Sequence, residues 1–258
     1  MGEKILLQEV GDGSGRPTCP RGGGALPGDR ARRGIVRCSA LPGRRAAEAQ
    51  HVAATRALVD ALAEQEILEG ILEAAKPPRP AAARTVDSLL FTPFRYAPPA
   101  YGSRLRAAED PGVWYGAEGA RTVCAELGYW RWRFVRDSHG LSRLDAVPHT
   151  LFQATAAGAA IDLRGEPFSR DHAAWCDPAN YAACQQLARS AREAQVRIIR
   201  YASVRDPEHG GCAGVLNLSA FVGGVRQRQT WFLTVDARHA SWVRAGSQRP
   251  ERFEFSFD

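Results

Sequence analysis

At 258 residues, with 45% hydrophobic and 24% charged side chains, the chain has the composition of a globular protein with enough apolar residues for a real core. No apolar run approaches 18 residues, so the composition argues against a membrane-spanning helix. The net charge of +6 argues against a nucleic-acid binder by its distribution: nine basic and four acidic residues make 1–45 net +5 and leave only +1 for 46–258.

Residues 1–42 are rich in Gly, Pro and Arg and read as a disordered basic tail. They do not read as a secretory signal, because the apolar run Ile5-Leu6-Leu7 is short and Glu3, Glu9 and Asp12 surround it. The six cysteines, Cys19, Cys38, Cys124, Cys176, Cys184 and Cys212, include no C-x-x-C pair and read as free thiols of a cytoplasmic protein. His172, Cys176 and Cys184 lack the tight paired spacing of a zinc site, and no metal is expected there.

Residues 46–75 have helical spacing, with Leu58, Val59, Leu62, Ile67, Leu68, Ile71 and Leu72 apolar and Glu64, Glu66, Glu69 and Glu73 on the wet face. The proline-rich run Lys76-Pro77-Pro78-Arg79-Pro80 ends it, so 46–83 reads as a helical lead-in and linker. The main domain then occupies 84–258. Its first stretch, 89–96, is strand-like, with Pro93 placing it at an edge. A short aromatic strand follows at 112–117, then a helix over 118–133 and a strand or hairpin over 150–163. Asp177 followed by Pro178 predicts the start of a helix running to about residue 193. Strands are expected at 196–202, 212–218, 229–235 and 241–244. Strands and helices mix without a β-α-β rhythm, which predicts an α+β fold.

The common catalytic signatures are missing from the sequence: G-x-G-x-x-G, the P-loop, G-x-S-x-G and H-E-x-x-H. Four other segments stand out in order. They are Phe94-Arg95-Tyr96, Gly102-Ser103-Arg104-Leu105, Gly112-Val113-Trp114-Tyr115-Gly116-Ala117 with Glu126 eleven residues after Tyr115, and Arg200 to Pro207 around Ser203. Together they resemble the RES domain family. Tyr181, Gln185 and Leu187-Ala188 match the helix before the serine strand, and Thr230 to Leu233 and Trp242-Val243-Arg244 its closing strands. Glu48 to His51 and Leu58-Val59-Asp60 are similar to the helical lead-in of longer members, so the resemblance covers about 46–246. Two departures bear on the site. Ser103-Arg104-Leu105 stands where the family has Gly-Arg-Trp, and Ile198 and Ala202 stand where it often has Gly and Pro.

The resemblance implies an ADP-ribosyltransferase-like split β-sheet core with flanking helices, preceded by an N-terminal helix. It implies a toxin of a toxin–antitoxin pair that consumes NAD as substrate, or transfers ADP-ribose to a protein acceptor, with an antitoxin as partner and nucleic acid reached only through it. It gives catalytic positions to Arg95, Tyr115, Glu126 and Ser203, and NAD contacts to Arg95, Arg104, Trp114, Tyr115 and Arg205. Singly, each has an ordinary structural role, which leaves a non-catalytic partner-binding domain as a second alternative; the ordered set carries the reading. The residue types suit the chemistry. Arginine is the planar, bidentate partner of a pyrophosphate. A carboxylate stabilises the oxocarbenium-like transition state formed as nicotinamide leaves. An aromatic face, Tyr115 or Trp114, holds a cationic ring. The serine hydroxyl holds a substrate oxygen or orients Glu126.

Overall fold

The computed structural model describes residues 36–48, 60–96, 102–246 and 250–258. Eight strands form one mixed sheet in the order β1-β2-β5-β4-β3-β6-β7-β8, with β1 also paired to β3. The strands are β1 (Val36–Glu48), β2 (Trp114–Ala117), β3 (Leu144–Asp162), β4 (Ile198–Ala202), β5 (Gly211–Val215), β6 (Arg226–Val235), β7 (His239–Arg244) and β8 (Arg252–Ser256). The helices are α1 (Leu62–Ala74), α2 (Ser88–Arg95), α3 (Ala120–Asp137), α4 (His172–Trp175) and α5 (Ala182–Glu193). Because β1 pairs with both β2 and β3, strands β1, β2, β5, β4 and β3 close into a ring, and β6, β7 and β8 extend from the other half of β3. This is the expected α+β fold.

Alternation along the strands splits the interior into two cores, since neighbouring strand residues face opposite ways. Leu151, Ile161, Ile199, Cys212, Trp231 and Trp242 point into a large core roofed by α3 and α5, and Tyr115 packs against it. Trp114, Phe152, Ile198, Ala213 and Val215 point into a second core with Leu41 and with Leu90 of α2. Every residue of β5 is buried.

Several elements differ from the sequence expectation. Residues 36–42 of the supposed tail, and 46–48 of the supposed helix, belong to β1. Its Leu-Pro-Gly-Arg-Arg-Ala-Ala segment has little strand propensity; the antiparallel ladder to β3, from Val36↔Ala160 to Glu48↔His149, makes the strand. The chain's first described element is thus a sheet strand, with α1 after it. Leu58 and Val59, and the tail over 1–35, lie outside the described residues.

The edge strand over 89–96 is instead helix α2. Asp87 caps it by accepting from Leu89 N at 2.9 Å. Pro93 has no N–H for the Leu89 carbonyl, and the Trp114 indole N–H takes that carbonyl at 3.3 Å. Asp177 does not start α5. Its carboxylate closes a turn by accepting from Ala179 N and Asn180 N, and the helix begins at Ala182. The strand or hairpin over 150–163 is part of one 19-residue strand.

Candidate active site

The site is built where β4 turns into β5. Ser203 N donates to Gly210 O at 2.9 Å and closes the turn. The Ser203 hydroxyl oxygen accepts from Arg205 N at 3.2 Å and Asp206 N at 3.0 Å, and its proton is donated to Glu126 Oε1 at 2.5 Å. With two donors already on the oxygen, the single hydroxyl proton is committed to the carboxylate. Ser203 is fully buried and Glu126 half-buried on the inner face of α3.

Burial pushes the Glu126 carboxyl above its usual range. The Ser203 bond and the charges of Arg104 and Arg205 pull against that, and nearby Asp206 adds to the upward push. The net result is a raised pKa. A carboxyl perturbed by burial beside specific charged partners is a physical mark of a functional site.

A second segment brings Arg104 to this face. Residues 103–106 form a tight turn, with Ser103 N to Arg106 O at 2.6 Å and Arg106 N to Ser103 O at 3.1 Å. Tyr115 clamps it: its hydroxyl is 2.8 Å from Ser103 Oγ and accepts from Leu105 N at 2.9 Å. Gln185 Nε2 of α5 holds Ser103 O at 3.0 Å. Leu105 fills the space over Gly214, where an added Cβ would lie 2.3 Å from Leu105 Cδ1. Burial drives the Tyr115 phenol up to about 12, so it stays protonated as this clamp requires.

Arg104 is thereby turned inward and buried. It donates from one terminal nitrogen, Nη1, to Trp175 O at 2.8 Å, and its guanidinium lies 4.7 Å from the Tyr181 ring and 6.0 Å from the Tyr201 ring. Burial opposes its charge, but Tyr201, Tyr181, Cys184 and Glu126 together raise its pKa. Arg205 stacks on Tyr129 at 3.7 Å and donates to Pro178 O at 2.6 Å and to Tyr181 OH at 3.4 Å. Two arginines therefore meet at Tyr181, and both act on Glu126.

The structure thus brings Arg104, Glu126, Ser203 and Arg205 together, with Tyr115 supporting them. It directs Arg95 and Trp114 elsewhere. Arg95 ends α2, donates Nε to Pro77 O at 2.6 Å and pairs with Glu73 at 3.6 Å, so its guanidinium ties the helix to the proline-rich linker. Trp114 is 1% exposed and lies in the second core, edge-on to Phe221, because it is one residue out of phase with Tyr115. An indole there has no open face for a nicotinamide.

Sequence reasoning gave no role to Tyr201, Gln185 or the Thr122–Asp206 contact, and gave Tyr115 a ring-stacking role in place of its hydroxyl clamp. Period-two alternation does put Tyr201 on the same face as Ile199 and Cys212. Among the described residues, no group of three or more His, Cys, Asp or Glu is arranged to hold a metal ion. Cys176 instead pairs with His172 at 3.3 Å.

The sequence profile of the RES domain matches residues 77–236, more than half of the chain. A solved structure, the M. tuberculosis MbcT–MbcA toxin–antitoxin complex, is similar at a TM-score of 0.47 and 14% identity, over 80% of this chain and 91% of that one. No curated protein matches the chain.

Proposed function

The chain belongs to the RES domain family, and from that premise we propose that it binds NAD as substrate and breaks the bond between nicotinamide and ribose, depleting NAD by hydrolysis or phosphorolysis. The observation that carries the reading is the Glu126 carboxylate, held by the Ser203 proton between two arginines.

The nicotinamide departs as a neutral molecule, so the reaction needs no general acid. Positive charge builds on the ribose ring, and a fixed carboxylate beneath it supplies on the order of 3–4 kcal/mol of differential stabilisation. Glu126 suits this role because the Ser203 hydrogen bond fixes one oxygen and leaves the other for substrate. Arg104 is the pyrophosphate partner: only Nη1 of its guanidinium is bonded to Trp175 O. Arg205 contributes a second positive charge. The half-buried Tyr181 ring beside both is the aromatic face for the cationic nicotinamide. Ser203 orients Glu126, and Tyr115 positions the Arg104 turn.

The proposal includes a cognate antitoxin that restrains the activity in the cytoplasm. Incubating purified protein with NAD and measuring free nicotinamide tests the reading. Release of ADP-ribose supports hydrolysis, and phosphate-dependent release of its 1-phosphate supports phosphorolysis. With labelled NAD and cell lysate, label on a protein assigns the transferase activity. Absence of nicotinamide release under all these conditions overturns the proposal.

A further inference from the structure

Two contacts one helical turn apart join α3 to the turn over 203–210. Glu126 meets Ser203, and four residues earlier on the same helix Thr122 Oγ1 donates to Asp206 Oδ2 at 2.8 Å. Thr122 and Asp206 are 4% and 2% exposed, so water does not substitute for either partner. Asp206 also accepts from Arg121 Nε and from Glu208 N, each at 3.2 Å, while its own N–H donates to the Ser203 hydroxyl oxygen. The turn closes tightly over this pair: a Cβ on Gly210 would stand 2.1 Å from Thr122 Oγ1 and 2.9 Å from Asp206 Oδ2. Only glycine at 210 admits the contact.

We propose that Thr122 and Asp206 form a latch that positions the Ser203 hydroxyl against Glu126, making both of them positioning residues for the reacting carboxylate. The latch rests on the reading of Glu126 given above. Its logic is geometric. The Ser203 side chain is tethered to Glu126 and meets Cys212, and Asp206 carries an N–H that aims its oxygen. Fixing Asp206 to the first turn of α3 fixes Ser203 over the second. The groups facing Glu126 are Ser203, Arg205 and Asp206 from the turn, Arg104 from the 103–106 turn, Tyr201 from β4 and Cys212 from β5. Those facing Asp206 are Arg121, Thr122 and Glu126 from α3, Glu208 from the turn and Cys212 from β5. Loss of the Ser203 bond removes one of the influences that hold the Glu126 pKa down.

The test is a carboxyl-carbon NMR titration of Glu126 in the full chain, beside kcat and KM for NAD. Thr122→Val keeps volume and charge but removes the donor. Its Glu126 midpoint is expected to rise, as in Ser203→Ala, and kcat to fall roughly 10- to 100-fold with KM within about 2-fold. In a Ser203→Ala background, Thr122→Val should move the midpoint no further, and Thr122→Ser should restore both readouts. Thr122→Ala gives the same comparison if the valine variant does not fold. A donor-free variant that titrates and turns over like wild type overturns the latch, as does an additive shift in the double variant. The titration needs no turnover. Shifts of the stated sign without nicotinamide release refute the NAD reading and keep the latch; normal release with an unmoved midpoint refutes the latch alone.

Discussion

The hydroxyl of Ser203 and the carboxylate of Glu126 are joined by a 2.5 Å hydrogen bond whose direction is settled by two backbone N–H groups behind the serine. A serine so engaged has its proton committed to the carboxylate and holds it still. On the proposed reading the chemistry falls to Glu126 and the geometry to the turn.

Glu126→Gln keeps the shape and removes the charge. Turnover is expected to fall at least about 100-fold, since a preorganised charge in a dry site contributes on the order of 3 kcal/mol or more. NAD affinity by calorimetry should stay within about 3-fold. Equal turnover in the variant would remove Glu126 from the mechanism.

The acidic limb of the pH–rate profile should lie above the ordinary carboxylate range, because Glu126 must be ionised and burial raises its pKa. Ser203→Ala removes an interaction that favours the ionised form. Its limb should therefore move to still higher pH. A limb that stays put or moves down contradicts the hydrogen-bond direction.

Arg104→Ala should raise KM for NAD by roughly 10- to 100-fold, the usual worth of a charged hydrogen bond. Arg95→Ala should raise it far less, because that guanidinium is engaged with Pro77 and Glu73. The ratio of the two KM values decides which arginine faces the substrate.

His149 is fully buried, with Nδ1 at 2.9 Å from Val147 O, and burial first, then Arg131, lowers its pKa to about 4. Its folded pKa is depressed below the ordinary 6.5. Stability is thus fully present above pH 6.5 and lost as pH falls toward 4, by on the order of 3 kcal/mol in all. His149→Phe should flatten the loss of melting temperature between pH 7 and 5. Glu126 acts with the opposite sign, but equally in both proteins. A variant as acid-sensitive as wild type would place the sensitivity elsewhere.

Trp114→Phe deletes the N–H that serves the Leu89 carbonyl freed by Pro93. It should cost about 1–2 kcal/mol in denaturant unfolding and leave KM unchanged. A changed KM would return the indole to the substrate site.

Elements with strong local signals were legible in the sequence. The 118–133 helix, the short aromatic strand and the strands at 196–202 and 229–235 all carry their periodicity in their own residues. β1 carries none, because its pairing partner is a hundred residues away. Proline misled at α2, where an indole from another strand repairs the broken ladder. In the site, Glu126, Ser203, Arg104 and Arg205 could be named from their motifs. The phase that separates Tyr115 from Trp114, and the bonding of Arg95 to its linker, are tertiary facts with no local trace.

The strand ring described above also has a consequence in time. Its longest ladder joins residues near 40 to residues near 155, and β5, whose first residue follows directly on the turn that holds Ser203, is among the last of its members to leave the ribosome. Long-range closure of this kind is slow. A nascent chain shorter than about 215 residues cannot close the strand ring. The seat of the proposed reaction is thus assembled only after β5 has emerged, however early the glutamate itself is made.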